Sequence, residues 1–319
     1  VAWQAKAKVA LAALRAAALA LAALLTRELA PVLLVLLGFV ALKLALLLGY
    51  VAKYHGLRGP VLRRRAFSDQ LRYALPLGLA SALYGLRVQA DQWVAAALFP
   101  LAMFASFSVG ALLAPLLALF RQSINYVFLP RMSRLQAAGD VRAMLELNSR
   151  ANVMVGALVF PLLAYAYAFA PELIRIVYTP AYLDAVPVMR VYIVGLAALV
   201  LELASLTMLL RQVVFVMALN AVLLAPSVAL DWIGATHLGL AGAAAGSVIA
   251  IYLDRAVTLR RVARCSGVPL ARLQDWGALG RLALFAALAA APAWVATHYY
   301  LAATRSEERR VGKECRSRW

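Results

Sequence analysis

The sequence predicts an all-α membrane protein, a polytopic helical bundle of about nine transmembrane helices. Three observations carry that prediction. Hydrophobic residues make up 65 % of the 319 residues, charged residues 14 %, and mean hydropathy is +0.83, far from soluble-domain averages. Apolar runs of about 20 residues recur, each long enough to cross a hydrocarbon core of roughly 30 Å. The alternating segments of an outer-membrane barrel, about ten residues each, do not occur.

In chain order the runs cover 9–25, 31–52, 72–97, 101–129, 151–170, 187–210, 213–233, 238–258 and 278–297. A basic segment, 53–71, divides the leading pair, 1–52, from a block of six spans, 72–258. A second basic stretch makes 259–303 a linker plus an accessory helix. Segment 131–150 reads as an amphipathic connector, with Leu135, Met144, Leu145 and Leu147 in the interface and its arginines at headgroups. Segment 171–186, the longest connection on the other side, is expected to begin with a short interfacial helix. Pro76, Pro115, Pro161, Pro187, Pro226 and Pro292 lie in or beside spans and predict bends. Gly239, Gly242 and Gly246, on one side of a helix, predict close packing.

Both ends look incomplete or foreign. Val1 is not an initiator Met and no signal-peptide pattern follows it. At 304–319 the composition turns abruptly to Arg and Glu, as in a non-native tail. Cys265 and Cys315, so placed, predict neither a disulfide framework nor a metal site.

The net charge of +18 does not imply nucleic acid, because basic residues gather in alternate gaps between spans. One side holds Lys6 and Lys8, then Lys53, Arg58, Arg63, Arg64, Arg65 and Arg72. It continues with Arg131, Arg134, Arg142 and Arg150, then Arg211, then Arg260, Arg261, Arg264, Arg272 and Arg281. The opposite side offers Arg27 and Arg175 and little else. This asymmetry predicts that the basic side is cytoplasmic. Anionic membrane lipids are its expected partners.

Ionisable residues inside the spans are the candidate functional groups, because a charge in lipid is costly and usually faces a bundle interior or an aqueous cavity. Ser81, Tyr84, Arg87 and Asp91 recur at about three-residue steps and give one helix a polar face. Arg87 and Asp91, four apart, are expected to neutralise each other in part. They read either as cavity groups or as a structural ion pair. Gln122 and Asn125, with Arg121, line an inner cavity mouth or snorkel to the surface. Glu202 is a lone acid, either coupling a proton or cation or pairing with another helix. Asn220 reads as an interhelical hydrogen bond, and Arg175 and Arg190 as interfacial anchors.

The run Leu71-Arg-Tyr-Ala-Leu-Pro76-Leu-Gly-Leu, then Val88-Gln-Ala-Asp91, then Phe128-Leu-Pro130-Arg-Met-Ser133, resembles the start of the C-terminal lobe of polysaccharide-export flippases. These belong to the multidrug/oligosaccharidyl-lipid/polysaccharide exporter superfamily. Pro171-Glu-Leu-Ile-Arg-Ile-Val-Tyr with Tyr182-Leu-Asp-Ala-Val-Pro-Val-Met-Arg190 is similar to that family's connection between its ninth and tenth helices. The Gly239–Gly246 run is similar to its twelfth helix. The likeness covers about 60–300, with Gln92 and Met103-Phe104-Ala105 departing from the family pattern.

The resemblance implies a fragment of a two-lobed transporter of 12–14 helices, with 1–52 as the last two helices of the N-terminal lobe and 72–258 as the C-terminal lobe. It implies a flippase that moves an undecaprenyl-diphosphate-linked oligosaccharide across a bacterial inner membrane by alternating access, for polysaccharide or lipopolysaccharide biosynthesis. Implied partners are the lipid-linked oligosaccharide, and a polysaccharide polymerase and glycosyltransferases. Such a flippase needs no cofactor and is not an enzyme. Arginine suits phosphate because its planar fork donates two hydrogen bonds, which makes Arg87 the first candidate for diphosphate contact. Two rivals are a multidrug/cation antiporter of the same superfamily and a polytopic glycosyltransferase or ligase. The second needs clustered acids, histidines or metal ligands at a membrane face, whereas His55, His237 and His298 are isolated.

Overall fold

A backbone in lipid must satisfy its own hydrogen bonds, and every described element of this chain is helical. A computed structural model describes the backbone of 2–26, 29–55 and 64–316. Arg27, Arg58 and Arg63 lie outside the described residues, as do the side chains of Lys6, Lys8, His55, Arg64, Arg65, Tyr73, His298, Tyr299 and those of 304–319. The chain is an all-α polytopic membrane protein, with no strand among the described residues.

Two compact units are present, Val1–Leu71 and Arg72–Trp319. In the first, α1 (Ala2–Thr26) packs against α2 (Leu29–His55). Both carry spanning windows, Val9–Thr26 and Ala30–Tyr50, within which no residue is buried.

The second unit begins within α3 (Arg64–Val88) and continues through α4 (Ala90–Leu98), α5 (Leu101–Gly110) and α6 (Leu113–Ala137). It then runs through α7 (Val141–Ala168), α8 (Ala170–Val177), a 3-10 turn at Pro180–Tyr182 and α9 (Ala185–Ala198). The last helices are α10 (Ala204–Leu209), α11 (Val213–Ser266), α12 (Leu270–Leu273) and α13 (Trp276–Arg316). Here Leu101–Ala137, Val141–Ala168, Val213–Ser266 and Trp276–Ala296 are long and apolar enough to cross a membrane. The expected spans 72–97, 101–129 and 187–210 are instead interrupted helices, α3–α4, α5–α6 and α9–α10.

Helix α11 holds two of the expected spans. Gly239, at φ 67 and ψ −148, breaks it into two arms that fold back on each other. A Cβ on Gly234 would meet the backbone of Gly242, and one on Gly246 the backbone of Asp231. Gly242 and Gly246 therefore pack as expected, while Gly239 makes the turn and does not share their helix face.

The amphipathic connector expected at 131–150 is not a separate element. It consists of the ends of α6 and α7 around a turn where Gly139 has φ 78 and the Asp140 carboxylate accepts from Ala143 N at 2.9 Å. Met144 and Leu145 do not lie in an interface. They are buried with Met132, Leu203, Leu206 and Val262 in a core at this end of the bundle. The short helix expected in 171–186 is α8. A larger core joins α6, α7 and α9 through residues such as Leu117, Val159, Leu163 and Ile193. Leu279 of α13 enters it, and Gln274 and Asp275 bond Asn152 and Ser149 of α7 at 3.0 and 2.8 Å.

Candidate functional site

Three helix interruptions converge on one cavity. α3 gives way to α4 at Gln89, α5 to α6 at Ala111–Leu112, and α9 to α10 across 199–203. The cavity, about 230 Å3, is lined by Gln89, Ala111, Pro115 and Leu199 from those breaks. Its polar walls are Tyr84, Arg87, Asp91, Tyr192, Ser227, Ser247, Asp254 and Arg255. Broken backbone at membrane depth is tolerated where it lines a cavity or is buried in protein, so the breaks and the polar side chains belong together.

Arg87 and Asp91 both reach this cavity, but not as a pair. The break at Gln89 interrupts the register that would have stacked them. Arg87, 4 % exposed, donates from Nε to Asn220 Oδ1 at 3.1 Å and from Nη1 to Ala250 O at 3.5 Å. Its Nη2 lies 3.5 Å from Asp254 Oδ1, and its guanidinium sits 5.7 Å from the Tyr84 ring centre. The ion-pair partner is thus Asp254, on α11. Beside it, Arg255 is held only loosely. Its Nε lies 4.0 Å from Asp254 Oδ2 and has no hydrogen-bond partner, although the side chain is only 12 % exposed.

Asp91 belongs to an acidic end of the same cavity. Its carboxylate accepts from Tyr192 OH at 2.5 Å and from the Gln92 amide at 2.7 Å. Asp231, fully buried, lies just behind, accepting from Ser247 Oγ at 3.3 Å. Asp231 Oδ1 and Ser227 Oγ, one helical turn apart, are buried without a hydrogen-bond partner. Two carboxylates with two hydroxyls form an all-oxygen donor set, which suits a proton or a hard cation. The other end, with Arg87 and Arg255, suits an anion.

The remaining candidates lie elsewhere. Ser81 is exposed and donates to Leu77 O in its own helix at 2.9 Å. Gln122 is exposed and bonds Tyr126 at 3.1 Å. Asn125 accepts from Ser205 Oγ at 3.0 Å. Glu202 has the partner on another helix that one of its two readings expected: it lies 3.5 Å from Arg121 Nε of α6, and it accepts from the amides of Ala204 and Ser205, at 3.0 and 3.4 Å. It caps α10 and closes the break after α9, whose Leu199 carbonyl accepts from Arg121 at 3.1 Å. Asn220 makes the interhelical bond expected of it, to Arg87. Arg190 donates to Tyr167 O at 3.2 Å.

Sequence reasoning missed Tyr192, Ser227, Asp231, Ser247, Asp254 and Arg255. The signal was present in part. Ser227 and Asp231 are four apart, and Ser247 and Asp254 seven apart, so each pair shares a helix face. They were overlooked because Asp231, Asp254 and Arg255 fall near the ends of expected spans, where charge is ordinary.

A family model described as "polysaccharide biosynthesis protein" matches residues 4–187. No curated protein and no solved structure matches the chain. The matched region carries Arg87 and Asp91, whereas Asn220 and Asp254 on α11 and Tyr192 on α9, which bond them, lie beyond it.

Proposed function

Because the chain belongs to the polysaccharide biosynthesis protein family, we propose that it serves polysaccharide export as a flippase for an undecaprenyl-diphosphate-linked oligosaccharide. The observation that carries this reading is the convergence of three broken helices on one cavity with a cationic and an acidic end. Discontinuous helices meeting at a polar site are the usual construction of secondary transporters. At about 230 Å3 the cavity is smaller than the roughly 300 Å3 at which drug-sized pockets begin. It holds an ion or a phosphate, and the glycan travels in a wider passage bordered by this lobe.

In this mechanism Arg87 is an orienting group. Asn220, Ala250 and Asp254 engage each of its three nitrogens, so it fixes Asp254 and through it Arg255. Arg255, with an unbonded Nε, is the guanidinium that receives a phosphate oxygen. Asp91 and Asp231 take up the proton or small cation whose movement drives the cycle. Rocking of one helix bundle against another then exposes the cargo to each side in turn. The basic connections face the cytoplasm of a bacterial cell, and the oligosaccharide arrives from glycosyltransferases and leaves to a polymerase. No catalytic step is assigned to the chain. The acidic end, Asp91 with Asp231 behind it, favours a second reading, a cation antiporter of the same superfamily, but family membership weighs for glycan export.

The test is export in cells that lack their own copy and carry the full-length gene. Arg255→Ala and Arg87→Ala are each expected to lower surface glycan at least tenfold while the protein persists in the membrane. Normal glycan display in both variants overturns the assignment. Loss of drug resistance with intact glycan establishes the antiporter instead.

A further inference from the structure

We propose that a second cavity, of about 600 Å3, binds the phosphodiester headgroup of an anionic phospholipid between Arg72 and Arg211. The inference goes beyond the cargo reading and holds whether or not the protein flips a glycan. Its polar walls are Arg72, Gln136 and Arg211, and Met208, Leu209 and Val213 are apolar walls. No acid lines it. Among the described residues neither arginine side chain makes a hydrogen bond or an ion pair. Two free cations beside an apolar wall match a lipid with an anionic head and hydrocarbon tails.

Position along the chain supports the same occupant. Arg72 opens the expected span 72–97, Gln136 lies in the last turn of α6, and Arg211 stands between α10 and α11. All three therefore sit where spanning segments end, on the side that carries the basic connections. Headgroups lie at that depth, and juxtamembrane Lys and Arg clusters attract anionic lipid there.

Arg211 supplies an independent observation. It has φ 55, the only positive value at a non-glycine among the described residues. It terminates α10, with its amide bonded to Met208 O at 3.1 Å and the Gln212 amide bonded to Thr207 O at 2.8 Å. This left-handed position after a helix is ordinarily glycine, and a strained residue held there points to a role for its side chain. Gln212 next to it accepts from Arg261 Nε at 2.9 Å, and the Arg261 guanidinium lies 5.1 Å from the Phe215 ring centre.

The experiment is native mass spectrometry of the purified, delipidated protein titrated with phosphatidylglycerol or phosphatidylcholine. The wild type is expected to bind phosphatidylglycerol at least tenfold more tightly than phosphatidylcholine. Arg72→Gln with Arg211→Gly is expected to weaken that binding roughly 30-fold, the usual worth of two surface arginines. Glycine is at ease at φ 55, so Arg211→Gly alone keeps the fold and serves, at roughly fivefold, if the double variant does not accumulate. Arg134→Gln with Arg142→Gln, which removes two exposed arginines outside the cavity, is expected to leave binding within twofold. Equal affinity for both lipids overturns the proposal. So does wild-type binding in the cavity variants, or an equal loss in the Arg134/Arg142 control, which is the signature of diffuse attraction. Inorganic diphosphate that binds without lipid, and is lost in the cavity variants, overturns the lipid in favour of a soluble phosphate.

Discussion

Arg87 illustrates how a single residue can be recognised from sequence while its chemistry is not. Its burial followed from composition: a cation within an apolar run must face the bundle interior. Its partner did not follow, because Asp254 is 167 positions away in the chain. Charge neutralisation at this site then ranks the substitutions. Removing one member of a buried pair leaves an uncompensated charge, at about 3–5 kcal/mol. Asp254→Ala is therefore expected to lower stability by about that much. Asp91→Asn keeps an acceptor for the Tyr192 hydroxyl and is expected to cost about 1 kcal/mol. Thermal unfolding of the purified variants in detergent measures both, and the reverse order contradicts the Arg87–Asp254 pairing. Arg255 differs from Arg87 in that its Nε has no hydrogen-bond partner, which is why the anion contact is assigned to it.

At the scale of elements, the informative features are the places where helices stop. The prolines inside helices, Pro76, Pro130, Pro161, Pro226 and Pro292, leave those helices continuous. Interruptions fall instead at Gln89, Ala111–Leu112 and 199–203, and Pro115 stands only in the first turn of α6. A proline deletes one donor and frees one carbonyl, which a packed bundle tolerates without ending the helix. The hairpin in α11 offers a separate test. Gly239 adopts φ 67 and ψ −148 with no atom near a Cβ, so Gly239→Ala is expected to cost about 1–3 kcal/mol from backbone strain alone. Gly246→Ala, which drives a Cβ into Asp231, is expected to cost at least as much through overpacking. Gly280→Ala, exposed and in open space within α13, is expected to gain about 0.5–1 kcal/mol. Unfolding midpoints of the three variants give the ranking, and a neutral Gly239→Ala contradicts the tight turn.

At the scale of the molecule, the basic gaps make a directional prediction. Cys265 is exposed beside Arg264, so with Cys315 replaced by serine it is the single reporter thiol. A membrane-impermeant maleimide is expected to leave Cys265 unlabelled in intact cells and to label it in inverted vesicles. Labelling from outside reverses the orientation.

Class, helix content and the burial of Arg87 and Asp91 were set by local quantities that the sequence states outright: hydropathy summed over about 20 residues, and single charges interrupting it. What folding alone decided was pairing. Which cation meets which acid, where the helices break, and that Asp231, Ser227 and Ser247 gather behind Asp91 all depend on α11 doubling back at Gly239 against α4 and α9. A hydropathy pattern records how far each segment wants to be from water. It carries no term for which segment lies beside which, and in a bundle of similar apolar helices that choice rests on small residues and on polar partners distant in the chain.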